Sequence, residues 1–91
     1  MNLEISRQHA RALFQAFEDA REFAQEIGLD LKRSHIEIID GEIYQGREMY
    51  LVIFYGKGNG PLSKTPVNDL DDVCVYIDKE TGNTAFITQS R

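Results

Sequence analysis

The chain has one cysteine, Cys74, no tryptophan, two prolines and two histidines in 91 residues. A single cysteine excludes an intramolecular disulfide and a thiolate zinc site. No apolar run approaches the ~20 residues of a membrane span, and the opening MNLEISRQHA lacks an apolar signal core. Cytoplasmic residence, with no membrane partner, is therefore the expectation. Positive charge is scarce too: ten Lys and Arg stand against fifteen Asp and Glu, a net charge of −5. A nucleic-acid partner needs a basic surface to displace counterions, so that class is set aside, while a basic protein partner suits the balance.

What is present is ordinary for a folded chain: 42% hydrophobic and 27% charged residues, enough for one modest domain. The most legible stretch is 72–88. Val73, Val75 and Ile77 alternate with Cys74 and Tyr76, the period-2 pattern of a strand. The polar run Asp78-Lys79-Glu80-Thr81-Gly82-Asn83 then predicts a turn, with Asp78 bonding forward to backbone N–H groups and Gly82 taking a positive φ. A second strand follows at 84–88, with Ala85 and Ile87 on one face and Phe86 on the other.

Upstream, Leu13, Ala16, Phe17, Ala20, Phe23, Ala24 and Ile27 recur at offsets of three and four, which predicts an amphipathic helix over about 6–28. Ser6 is its expected N-cap and Gly28 its C′ residue, with Leu29 packing back. Arg7 and Arg11 near its start and Glu22 and Glu26 near its end oppose the helix dipole, a cost of a few tenths of a kcal/mol each on an exposed face. Strands are expected at about 34–39 and 48–55. Asp40-Gly41 leaves two hairpins open, one tight at Asp40 and one with a wider tip over 40–47. The stretch 56–71 holds both prolines and three glycines, which argues for a long loop. The sum is an α+β domain spanning 1–91, with one N-terminal helix packed on a four-stranded antiparallel meander, the last two strands at about 72–77 and 84–88. Phe14 and Phe17 are expected to press on the sheet. Two strand phases are open. Either Tyr50, Phe54, Tyr76 and Phe86 share the face turned from the helix and form a contact surface, or the phase is reversed and they are core.

Motifs for chemistry are weak. Gly56-Lys57-Gly58-Asn59-Gly60 does not open a helix, as a phosphate loop must. Asn68, Asp69, Asp71 and Asp72 form an acidic cluster without the calcium-loop pattern, which reads as a solvated loop or as the patch that meets a basic partner rather than as a cation site. His9 and His35 have no metal-ligand spacing, and a Cys74–His35 pair, which needs neighbouring strands, has no third group. No catalytic, metal or cofactor residue is assigned.

The run Val75-Tyr76-Ile77-Asp78-Lys79-Glu80-Thr81-Gly82, a strand ending in D-K-x-T-G, resembles the last hairpin of PepSY-type domains. Together with the element order over 14–87 it is also similar to small bacterial immunity proteins. The resemblance implies a non-catalytic inhibitor or binding domain. PepSY-type domains accompany secreted peptidases or membrane proteins, and immunity proteins neutralise a toxin in the cytoplasm. The absent signal core and acidic charge fit the second, in which Asn68, Asp69, Asp71, Asp72 and the aromatic face would meet a basic toxin or enzyme. The competing expectations are a small self-associating module, seen as a homodimer, and a small-ligand binder or enzyme with a concave pocket.

Overall fold

The computed structural model describes residues 1–55 and 72–89. The stretch 56–71, with its glycines and with Asn68, Asp69 and Asp71, lies outside the described residues. Helix α1 (Arg7–Ile27) leads through a single 3-10 turn (Leu31–Arg33) into β1 (His35–Tyr44), β2 (Arg47–Tyr55), β3 (Val73–Asp78) and β4 (Thr84–Thr88). The strands form one antiparallel sheet in the order β1-β2-β3-β4, and α1 lies across one face, centred on β3. The predicted helix-on-meander architecture is the observed one.

The helix ends as its sequence dictates. The Ser6 hydroxyl accepts from the His9 N–H at 3.2 Å, one of the N-terminal donors that a helix leaves unmet. At the other end Gly28 adopts φ 77°, and the Leu29 N–H donates to the Ala24 carbonyl at 2.9 Å, closing the last turn. The face against the sheet is an alanine stripe, Ala12, Ala16, Ala20 and Ala24, all buried. Small side chains let the helix axis come close to the strands, and the space is filled from Val52, Phe54, Val73, Val75 and Ile77. Phe17 meets Phe54 edge to face, with ring centroids 6.5 Å apart. Phe14 does not press on the sheet as expected: it is 70% exposed. Two residues before Ala16 a helix has rotated by about 200°, which turns position 14 towards water.

The first hairpin differs from both expected forms. β1 does not stop at 39 but continues to Tyr44, and the turn is the two-residue Gln45-Gly46 pair, with φ of 52° and 78°. Two positive φ values in succession give the mirror-image turn whose twist matches that of flanking strands. Asp40-Gly41 is instead a bulge inside the strand. Asp40 pairs with Tyr50 and Glu42 with Met49, so Gly41 is the extra residue, at φ 94°.

Register settles the phase, and neither expectation holds whole. Tyr50 pairs with Ile77, Leu51 with Tyr76 and Val52 with Val75. Tyr50, Val52 and Phe54 therefore face α1, while Met49, Leu51, Ile53 and Tyr55 face away. Tyr76 and Phe86, which pair across β3 and β4, are on the far face. Of the four aromatics grouped by sequence, Phe54 is buried under the helix and only Tyr76 and Phe86 share the surface predicted for contact. A one-residue phase difference between neighbouring strands reverses every side chain, and sequence alternation within each strand carries no information on it.

Candidate functional site

The far face is built around Leu51 and Ile53 of β2 and Cys74 of β3, all buried, with Ile39, Tyr55 and Tyr76 packed against them. Cys74 is thus a small core residue. The Cys74–His35 pair does not form, because β2 lies between β1 and β3 and His35 is exposed.

The corner of this face nearest the Gln45-Gly46 turn is aromatic. Tyr44 stacks on Phe86 at 5.3 Å and 8°, and Tyr76 lies 5.0 Å from Tyr44 and 6.0 Å from Phe86. Tyr44 belongs to one edge strand and Phe86 to the other. Across a flat sheet they would be three strand spacings apart, about 14 Å. The stacking distance therefore requires the tip of the β1–β2 hairpin to fold over the far face. Bulges increase twist and bend, and the two here, at Gly41 and between Tyr76 and Ile77 against β4, sit where that curl is needed. The three rings half-bury one another, and Phe86 keeps 42% exposure.

Carboxylates lie on the same face, at both ends of it. Glu37 and Glu42 share the far face of β1, because they pair with Ile53 and Met49. Glu37 accepts a hydrogen bond from the Tyr55 hydroxyl. Asp78 and Glu80 stand at the β3–β4 turn, where Arg47 pairs with Asp78 at 3.0 Å and with Glu80 at 2.9 Å. Asp78 is buried and its Oδ1 also accepts from the N–H groups of Glu80, at 2.8 Å, and Thr81, at 3.2 Å. Gly82 follows at φ 76°, and a side chain there would meet the Arg11 guanidinium 2.9 Å away. The D-K-x-T-G run thus closes the turn as the sequence predicts and ties it to the first hairpin.

The next residue, Lys79, turns to the helix side. Its ammonium pairs with Asp40 and with Glu48, the latter at 2.8 Å, and stands 5.0 Å from the Tyr50 ring centroid. His9 Nε2 lies 3.2 Å from the second Asp40 oxygen, and the His9 ring meets Tyr50 edge to face at 5.4 Å. The hydrogen bond from Lys79, then that with His9, holds the Asp40 carboxyl below the usual range. Asp40 and then Glu48 hold Lys79 above its usual value. Every charged group in this cluster has a partner of opposite sign, so it is bracing at the foot of the helix. Tyr50, expected in the contact surface, belongs to it.

Asp72, just before β3, is half-buried. Its companions in the acidic run, Asn68, Asp69 and Asp71, lie outside the described residues, and Tyr50 and Phe54 are on the opposite face. The residues that sequence reasoning missed are Tyr44, Glu37, Tyr55 and Glu42. The alternation Ile43-Tyr44 before Gln45-Gly46 was the available signal, masked by the stronger turn dipeptide Asp40-Gly41. Among the described residues no cluster of His, Cys, Asp and Glu is placed to hold a metal ion, and no helix is long and apolar enough to cross a membrane. A cleft of about 620 Å³ between the end of α1 and the 3-10 turn is lined by Phe17, Arg21, Gln25, Leu29 and Lys32 among others. It contains no nucleophile–base pair. Comparison of the chain with protein-family models, curated proteins and solved structures found no match.

Proposed function

We propose that the chain is a non-catalytic protein-binding module of the inhibitor type, which covers a functional surface of a basic protein in the bacterial cytoplasm. The carrying observation is the Tyr44–Phe86–Tyr76 stack, with Glu42 two residues from Tyr44 on the same strand face, Asp78 and Glu80 at the β3–β4 turn, and Glu37 farther along β1 on that face. Arg47, the guanidinium beside them, is already paired. Tyrosine rings with one apolar face and one wet end are the side chains that dominate protein interfaces, and four carboxylates against one guanidinium leave an excess of negative charge that favours the opposite sign in the partner. The net charge of −5 and the resemblance of the D-K-x-T-G hairpin and element order to immunity proteins and PepSY-type domains support the same reading. Asn68, Asp69, Asp71 and Asp72 remain part of the proposed acidic surface.

The test is a pull-down from the source cell's lysate at low and high salt. The baits are the native chain, a Tyr44→Ala/Phe86→Ala variant and a Glu37→Gln/Glu42→Gln variant. The expected result is one basic protein retained at low salt, released at high salt and lost with either variant. Retention of the same protein by both variants would overturn the assignment of the surface. A native chain that retains no basic protein at low salt would overturn the reading itself.

A further inference from the structure

β1 is the longest strand and stands at the edge of the sheet, where among the described residues it pairs with β2 alone. Half of the backbone N–H and C=O groups of such a strand point outward, a ready template for another strand. Proteins defend edges with short strands, Lys, Pro or bulges; β1 has ten residues with neither Lys nor Pro, and its bulge at Gly41 leaves His35 to Asp40 as a regular edge. Its two sides are unlike. Because α1 is centred on β3, the helix-side residues Ile36 and Ile43 are left 45% and 63% exposed. The opposite side carries Glu37 and Glu42, with the Glu37 carboxylate oriented by Tyr55.

A second copy of the chain fits this edge badly. Antiparallel pairing of β1 with itself would set Glu37, Glu42 and their counterparts within a strand spacing of one another, and like charges there destabilise. The exposed arm before α1 alternates Met1, Leu3 and Ile5 with Asn2 and Glu4, so it too would bring a carboxylate to Glu37. An extended segment alternating apolar and cationic residues meets both sides at once, its apolar side chains extending Ile36 and Ile43 and its cations facing Glu37 and Glu42. We infer that β1 is an acceptor edge, taking such a cationic strand from the partner by strand addition. The inference rests on the basic-partner reading and adds its mode. The Gly41 bulge interrupts the regular ladder, so pairing runs over His35 to Asp40, with Glu42 and Ile43 contacting the segment beyond the bulge.

The probe is a synthetic peptide of about eight residues alternating Val and Lys, long enough to span the strand. The control peptide has its central Val replaced by Pro. Titration into the full chain, followed by amide exchange and light scattering, is expected to show saturable, salt-weakened binding. The exchange of outward amides in residues 35–40 should slow, and affinity should fall about tenfold or more for the proline peptide, which cannot complete the ladder. Glu37→Lys/Glu42→Lys should abolish binding while leaving the circular dichroism of the chain unchanged. Equal binding of the two peptides would overturn edge pairing and leave the acidic-surface reading standing. No binding of either peptide would overturn the inference, with the lysate experiment judging the other reading separately. A chain that runs as a dimer, and becomes a monomer with Leu3→Lys/Ile5→Lys, would overturn it in favour of the arm of a second copy.

Discussion

On one side of β2, Val52 and Phe54 are closed off by the alanine stripe of a helix. On the other, Leu51 and Ile53 pack against side chains of the sheet itself, Ile39, Tyr55 and Tyr76. Both pairs are buried to within about 1% of full exclusion. The helix side reaches this state with small residues opposite large ones, which allows close approach of two rigid elements. The far side reaches it by bending: two bulges curl the edges inward until Tyr44 lies on Phe86. A cover made of tyrosines has polar ends in water and rings that can be shared with a partner. Core and candidate surface therefore lie on the two faces of one sheet, a single step apart along β3 at Val75 and Tyr76.

The largest expected effect falls on the helix side. Phe54→Ala removes a buried ring and its contact with Phe17, and should cost about 3–5 kcal/mol in urea unfolding, enough to leave a domain of this size marginal. Leu51→Ala on the far side should cost about 2–3 kcal/mol, because a curled, side-chain cover can settle into the gap where a helix cannot. A Leu51 loss equal to that of Phe54 would show that the two covers are equally unyielding. Next, Asp78→Ala, which unlinks Arg47 and frees two turn N–H groups, should cost about 2 kcal/mol, and Asp78→Asn less, since an amide oxygen still accepts from the turn. Gly41→Val should cost about 1–2 kcal/mol through its φ alone, because among the described residues no atom lies within 4 Å of where the new Cβ would stand. Its sharper readout is the NMR ring-current shift of Tyr44 and Phe86, which should weaken as the hairpin tip straightens.

The smallest effect is electrostatic. Asp40 is held below its ordinary value of 3.8, so its contribution is present above that pH and fades as pH falls through the lowered value. Lys79 is held above its ordinary 10.5, so its contribution is present below that pH and fades as pH rises beyond it. Lys79→Met should lower the plateau near neutrality slightly, because the pairs are exposed and screened, and change little at the acid and alkaline extremes, so that both limbs of the stability-against-pH curve flatten. Equally steep limbs in the variant would show that other groups carry them.

How much of this was legible depends on the range of the signal. Ser6, the alanine repeat and Gly28 act within one turn of the chain, and the helix appears where they place it. Val73 to Ile77 and the Asp78-to-Gly82 turn are equally local, and so is the alternation inside β2. The first hairpin was not legible because Asp40-Gly41 is chemically suited both to a turn and to a bulge, and what selects the bulge is the pairing of Glu42 with Met49 across the strands.

Amino-acid order alone therefore determined the helix and its caps, the β3–β4 hairpin and the alternation within β2 and β3, since these follow from backbone sterics and periodicity over a few residues. Tertiary structure decided the rest. It paired Leu51 rather than Tyr50 with Tyr76, hid Phe54 and brought Tyr44 onto Phe86 from the opposite edge. Those outcomes depend on which strands meet and in what register, and that is settled by the burial of many side chains at once rather than by any stretch of sequence.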